Sequence, residues 1–424
     1  MNTMTLTRIL IDQASAATHE LLRLQQPADA ALSAFLRAHR SGPRERAFIA
    51  EMAYSVLRKR RSLAAWVGPD ATPRQLVLAA LIRESGLSFR TLEAVLSKDD
   101  AAWLAQIKAR AQAESALSLA EQADLPDWLT ECLAALMPEA ELLALARALN
   151  QPAPLDLRVN TLKAKRADVL AQLEKIGYVA TACPLAPDGI RLAGRPVLSK
   201  HPLFLSGDVE VQDEGSQLLG YLLAPKRGEM VVDFCAGAGG KTLLLGALMR
   251  STGRLYAFDV SAKRLAKLKP RLARSGLSNV HPAVIAHEND THVKRLAGKC
   301  DRVLVDAPCS GLGTLRRNPD LKWRQTPESV AELVVKQGNI LAAAAKLLKP
   351  GGRLVYATCS LLPEENAQIV DAFLAAHPQF VRRSAAEVLA TQGIAIELPG
   401  PDLQLLPNVH GTDGFYAAVL ERAA

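Results

Sequence analysis

A chain of 424 residues, 49% hydrophobic and 22% charged, holds enough apolar material for two or three cored domains and excludes disordered, fibrous and low-complexity classes. No apolar run reaches the roughly 18 uncharged residues of a membrane-spanning helix, and Arg8, Asp12 and Glu20 break up any leader-like segment, so neither membrane insertion nor export is expected. Six dilute cysteines without a C-x-x-C pair fit a reduced, cytoplasmic protein with no metal, and the net charge of +8 suits a polyanionic partner.

Residues 1–150 read as helix after helix, with breakers at Gly42-Pro43, Gly68-Pro69 and Thr72-Pro73. After Pro43, the side chains of Ile49, Met52, Ala53, Val56 and Leu57 share one helical face, which predicts an amphipathic helix packed on a core. The run Arg58-Lys59-Arg60-Arg61 at its end suits RNA phosphates and, equally, the negative end of the helix dipole. Two close prolines in Asn150-Gln151-Pro152-Ala153-Pro154 cannot continue a helix and mark a boundary. Residues 151–205 then alternate strand (155–159), helix (165–176) and strand (190–192), which predicts a small α+β subdomain. From 206 to 424, apolar runs at 230–234, 255–258, 303–305 and 353–357 alternate with helical stretches such as 327–348 and 364–376. That alternation predicts an α/β domain with a doubly wound, mostly parallel sheet.

The first of these runs leads into Cys235-Ala236-Gly237-Ala238-Gly239-Gly240-Lys241, a glycine turn between strand and helix where backbone can approach a ligand closely. A phosphate loop would need glycine at 235, which is Cys, and the dinucleotide fingerprint would need a third glycine at 242, which is Thr. Asp259 ends the second strand, where a carboxylate can accept both ribose hydroxyls of a nucleoside. A glycine loop without phosphate features plus that acid suits S-adenosylmethionine, with Asp290, after the third strand, towards the adenine edge.

Asp306 and Cys309 follow the fourth strand and Cys359 the fifth, so two thiols 50 positions apart share the crevice at the strand ends. Carbon 5 of a pyrimidine is a poor nucleophile towards a sulfonium methyl. A thiolate adding to carbon 6 turns the ring into a reactive enamine, Asp306 binds or protonates ring N3, and a second cysteine assists release. Spacing alone leaves open which thiol attacks. The nucleophile needs activation, for which Lys241 and Arg316-Arg317 are candidates. Cys132, Cys183 and Cys300 read as small buried hydrophobes.

In order, the segments Val211-Gln212-Asp213-Glu214-Gly215-Ser216-Gln217, the glycine loop through Lys241-Thr242, Asp306-Ala307-Pro308-Cys309-Ser310-Gly311, 316–323, Thr358-Cys359-Ser360 and His410-Gly411-Thr412-Asp413-Gly414-Phe415 resemble the RsmB/Sun family of RNA 5-methylcytosine methyltransferases over roughly residues 150–420. The resemblance implies a Rossmann-like catalytic domain over 206–424, Cys359 as the nucleophile and Cys309 as the residue that helps eject product. It also implies S-adenosylmethionine contacts from Cys235 to Lys241, Asp259, Asp290 and Asp306. Ala238 stands where the family usually has proline. Residues 1–150 resemble the NusB-like RNA-binding domain of the bacterial rRNA branch, best at 51–58, and 151–205 the family's small RNA-binding subdomain. A monomer acting on small-subunit rRNA is therefore expected, with tRNA methylation or a non-catalytic role in ribosome assembly as alternatives. Lys163, Lys165, Arg166, Arg316, Arg317 and Lys322 are the expected RNA contacts, and Trp323 either stacks on a flipped-out base or lies in the core.

Overall fold

The protein is described by a computed structural model covering residues 5–110, 117–194 and 196–424. Its packing divides into two units, Met1–Pro152 with Thr314–Pro327, and Ala153–Gly313 with Glu328–Ala424.

Helices make up the first unit. Arg8–Leu22 begins where Thr7 Oγ1 accepts the N–H of Leu10, and it buries Leu10, Ile11, Ala14, Ala17 and Leu21 at helical spacing. In Pro43–Arg58 the expected face of Ile49, Met52, Ala53, Val56 and Leu57 is buried. Pro73–Arg83 starts with a Thr72/Gln75 capping box and Pro73 in its first turn, and Leu76 to Leu81 are all buried, as befits a helix surrounded by others. The basic run is taken up inside this unit. Lys59 pairs with Asp124 (3.6 Å), Arg61 with Asp127 (2.6 Å), and the Arg60 guanidinium lies 5.5 Å from the Trp323 ring centre.

Thr314–Pro327 joins the helices because its polar groups find their partners there. Trp323 Nε1 donates to Leu57 O (2.8 Å), Lys322 Nζ to Arg58 O and Asn150 Oδ1 (2.8 Å each), and Asp320 Oδ2 accepts the Ala28 N–H (3.2 Å). Lys322 is fully buried, and burial pulls its ammonium down to about 7 against the opposing effect of Asp124. Between pH 7 and the ordinary 10.5 the unfolded chain therefore binds a proton that the folded one does not, so stability rises with pH across this window. Lys322→Met leaves two buried acceptors without their donor and is expected to cost on the order of 2 kcal/mol and to lose that slope. All four tryptophans (Trp66, Trp103, Trp128, Trp323) lie in this unit, so tryptophan fluorescence against urea at pH 7 and pH 9 reads the effect. A variant keeping the wild-type slope removes Lys322 as its source.

The second unit carries two sheets. Strands β1 (Leu155–Val159), β2 (Ala180–Ala182), β3 (Gly189–Leu192) and β4 (Val209–Val211) form an antiparallel sheet in the order β2-β3-β1-β4. Helix Arg166–Lys175 buries Val169 and Leu173 with Leu157, Val159 and Ile190. The larger sheet contains β5 (Met230–Asp233), β6 (Arg254–Asp259), β7 (Val280–Val284), β8 (Cys300–Asp306), β9 (Leu348–Thr358), β10 (Phe380–Arg383), β11 (Leu403–Leu405) and β12 (Phe415–Arg422). Its order is β10-β12-β9-β8-β5-β6-β7, with β11 beside β12; β5 to β9 run parallel and β10 to β12 pair antiparallel. This is the doubly wound, mostly parallel fold expected. Val231, Val232, Val303 to Val305 and Leu354 to Ala357 are inaccessible to solvent, the signature of strands covered on both faces.

The chain runs outward from β5 through β6 to β7, then returns to lay β8 on the other side of β5. Beyond the carboxyl ends of the strands at this reversal lies the crevice where open α/β sheets bind ligands. Asp233, Asp259, Asp306 and Thr358 are the last residues of β5, β6, β8 and β9, so four strands deliver side chains to one edge. Among the described residues no helix is long and apolar enough to cross a membrane.

Candidate active site

The glycine loop leaves β5 and turns at Gly237 (φ 57°) and Gly239 (φ 82°) before helix Gly240–Leu248. Both values lie in the left-handed region, and a Cβ at Gly239 would come within 2.2 Å of Leu268 Cδ1, so glycine is required there for conformation and for packing. The loop is tied down from several directions. Asp259 Oδ2 accepts the Gly237 N–H (2.8 Å) and Oδ1 the Ser261 N–H (2.7 Å). Arg271 donates to Ala238 O and Arg158 to Gly240 O, each at 2.7 Å. Arg158 comes from β1, and burial lowers its guanidinium to about 10. Ala238, the departure from the family pattern, thus has its carbonyl held by a side chain.

At the root of the loop, Asp233 Oδ2 accepts the Thr242 hydroxyl (2.6 Å), while the buried Oδ1 has no hydrogen-bond partner. Burial raises this carboxyl to about 7. The neighbouring Cys235 thiol is also pushed up by burial, then by Asp306. Lys241 reaches from the loop to Asp306 (Nζ to Oδ2, 2.7 Å), with its ammonium 5.8 Å from the Phe415 ring centre. Burial alone would lower Lys241; Asp306, with Cys359 and Asp233 behind it, more than offsets this and raises it.

Cys309 Sγ and Cys359 Sγ lie 3.4 Å apart, both as free thiols, and the Cys359 N–H donates to Cys309 Sγ (3.3 Å). The hydrogen bond with Cys359, followed by burial, raises Cys309 well above the usual thiol range. Gly313 N donates to Cys359 O and Gly414 N to Gly313 O (2.8 Å each), and Asp213 Oδ1 accepts the Asp413 N–H (3.2 Å). The His-Gly-Thr-Asp-Gly-Phe and Gln-Asp-Glu-Gly segments are thereby drawn to the same region.

Most of the other candidates make contacts of their own. Asp290 spends both carboxylate oxygens on its own turn, accepting Ala286 N (3.0 Å) and His292 N (2.8 Å) at the start of Thr291–Lys294, and these bonds hold it well below the ordinary carboxylate range. Lys163 Nζ donates to Ser206 O and Arg274 O (2.6 Å each), Arg166 donates to Ala186 O (3.2 Å), and Lys165 is exposed. Arg316 is buried and Arg317 half-buried, and they sit with Lys322 and Trp323 in the helical unit. Sequence reasoning missed Arg158, Arg271, Gln337, Glu365 and Asn366: no spacing pattern links Arg158 to Gly240, Arg271 to Ala238, or Gln337 and Glu365 to residues 308–310, and Asn366 lies in a turn with no signal.

The acidic set Asp233, Asp259 and Asp306 around a glycine cradle, with one buried carboxylate oxygen unpartnered, fits a cationic nucleoside donor such as S-adenosylmethionine. Known proteins agree. The family model described as 16S rRNA methyltransferase RsmB/F matches residues 220–421, and the ferredoxin-like domain of RsmF/B-like methyltransferases matches 125–197. The chain is 35% identical to the probable ribosomal RNA small subunit methyltransferase B of Synechocystis, over 93% of this chain and 95% of that protein. It is 38% identical to the ribosomal RNA small subunit methyltransferase B of Sodalis glossinidius, over 72% of this chain and 69% of that one. A solved methyltransferase homologue from Pyrococcus horikoshii superimposes with a TM-score of 0.60 at 30% identity, over 72% of this chain and 97% of its own. With a relative this similar along nearly its whole length and a family model spanning the sheet and both cysteines, the chain belongs to the RsmB/F family of S-adenosylmethionine-dependent methyltransferases.

Proposed function

We propose that this protein methylates carbon 5 of a cytosine in small-subunit rRNA through a covalent bond from Cys359 to carbon 6. The observation that carries the reading is the pair of free thiols 3.4 Å apart beyond the ends of β8 and β9, with the Lys241–Asp306 ion pair at the end of β8. Methyl transfer to an amino group or a hydroxyl needs no nucleophilic thiol, whereas an unreactive ring carbon does. The relatives named small subunit methyltransferase B support rRNA as the substrate.

S-adenosylmethionine supplies the electrophilic methyl. Cys359, as its thiolate, attacks carbon 6, and the electrons of the 5,6 double bond shift towards N3. Lys241, hydrogen-bonded to Asp306, is the proton source: a proton passes through Asp306 to N3 as charge builds there, so the enamine forms without a free anion. Once carbon 5 carries the methyl, its proton leaves to a base, the double bond re-forms, N3 returns its proton, and Cys359 departs as thiolate. Cys309, still protonated, donates a hydrogen bond to that departing sulfur.

The test is to incubate the protein with methyl-labelled S-adenosylmethionine and unmodified small-subunit rRNA, digest the RNA and identify the labelled nucleoside. Label in 5-methylcytidine supports the reading; label only with tRNA redirects the substrate, and RNA binding without label in either points to an assembly role. Asp259 is expected to hold the donor's ribose, so Asp259→Ala should weaken S-adenosylmethionine binding roughly 10- to 100-fold by calorimetry, the size of one or two charged hydrogen bonds. Unchanged affinity would remove Asp259 from the cofactor site.

A further inference from the structure

We propose that Glu365 is a positioning residue for this reaction, holding the two cysteine-bearing loops at the separation that lets one thiol serve the other. The proposal rests on the covalent reading above and deepens it. Glu365 lies in the short turn Pro363–Glu365 just after β9, is completely buried, and has its backbone fixed by the Tyr356 hydroxyl, which donates to Glu365 O (2.7 Å). Its carboxylate accepts four hydrogen bonds. Oε1 takes the Ser310 N–H (2.8 Å) and Gln337 Nε2 (2.9 Å); Oε2 takes the hydroxyls of Ser310 (2.5 Å) and Ser360.

Ser310 follows Cys309 and Ser360 follows Cys359, so one carboxylate grips the residue after each thiol. The preceding residues are held too. Gln337 Nε2 donates to Pro308 O (3.0 Å), the Thr358 hydroxyl donates to Asn366 Oδ1, and Asn366 Nδ2 returns to Ser360 O (3.1 Å). Each cysteine is pinned on both sides, and Glu365 is the group common to both loops. A buried acceptor-only group with four donors aimed at it tolerates little displacement, because each donor it abandons is left unsatisfied. Its charge also works on Cys309, where Glu365 is among the causes that raise the thiol and so keep the proton in place for release.

Glu365→Gln keeps the shape and replaces one acceptor by a donor that faces other donors. Two readouts test the proposal. The first needs no RNA: phenylarsine oxide, which bridges two adjacent thiols, should bind the wild type at Cys309 and Cys359 by mass spectrometry and bind the variant at least tenfold more weakly. The second uses cytosine RNA: kcat should fall 10- to 100-fold with KM for RNA and affinity for S-adenosylmethionine within twofold. In addition, the alkaline fall in the rate of adduct release should move to lower pH. If the variant does not fold, Ser310→Ala combined with Ser360→Ala removes both hydroxyl grips and should shift arsenical binding and kcat in the same directions. Wild-type arsenical affinity together with an unmoved pH profile, in either variant, overturns the proposal. A wild-type protein that captures the arsenical while its Cys359→Ala variant still forms 5-methylcytidine instead overturns the covalent reading, so the two failures are distinguishable.

Discussion

Cys359→Ala is expected to abolish methyl transfer, with the rate of 5-methylcytidine formation falling roughly 10⁴-fold or more, the scale seen when an essential nucleophile is removed. The reason lies in the order of events. Carbon 5 becomes nucleophilic only after sulfur has bonded to carbon 6, so without that sulfur the donor and the ring meet with no reactive partner. Cys309 cannot substitute. Its sulfur lies 3.4 Å from the missing one, and burial, which remains when the Cys359 thiol is gone, still disfavours its thiolate. Alanine at 359 is small and its backbone N–H remains, so the glycine loop, Lys241 and Asp306 keep their mutual contacts and S-adenosylmethionine should bind within twofold of wild type. Labelled product, gel-stable protein–RNA adduct and calorimetric affinity, measured on one preparation, separate a lost nucleophile from a lost fold. Adduct formed by the Cys359→Ala protein would transfer the role to Cys309.

The parts of this site that can be read in the sequence are those that hang directly from buried strands. Asp306 ends β8, Cys309 follows three residues on, and Cys359 follows β9, so apolar runs alone put them on one edge once the sheet is taken as parallel. Asp259 and the glycine loop are legible for the same reason. The remainder depends on contacts that no local pattern encodes. Lys322 and Lys163 read as RNA contacts, and no local pattern shows that one is buried among carbonyl and amide acceptors and that the other bridges two backbone carbonyls. Residues 314–327 read as part of the catalytic block because they follow Cys309, but Trp323, Lys322 and Asp320 find their partners on helices some 170 to 290 positions away. The basic run 58–61 left two uses open, and ion pairs with Asp124 and Asp127 occupy two of its four residues. Glu365 falls at the start of the stretch 364–376 that reads as helix, with nothing local to mark it as buried, and only the fold reveals four donors converging on it.

Cys309→Ala is expected to have the opposite phenotype to Cys359→Ala: a burst of methylation equal to the amount of enzyme, followed by a covalent protein–RNA species that survives denaturation. Attack and methyl transfer need only Cys359, the donor, and the Lys241–Asp306 pair, all of which this substitution leaves in place. Release is different. The carbon 5 proton leaves to a base, the electron pair restores the double bond, and the sulfur must depart carrying negative charge beside a second half-buried thiol. In the wild type a protonated thiol 3.4 Å away meets that charge; in the variant a methyl group does. Losing one preorganised donor to a developing anion costs about 3 to 4 kcal/mol, or roughly 10² to 10³ in rate. Release then becomes slower than every other step and the adduct accumulates. The double replacement of both cysteines should form no adduct, because the bond that traps the RNA belongs to Cys359. A Cys309→Ala enzyme that turns over freely, with no trapped species, would mean that the departing thiolate is stabilised from elsewhere, with Lys241 the nearest candidate since Cys359 already contributes to its raised affinity for a proton.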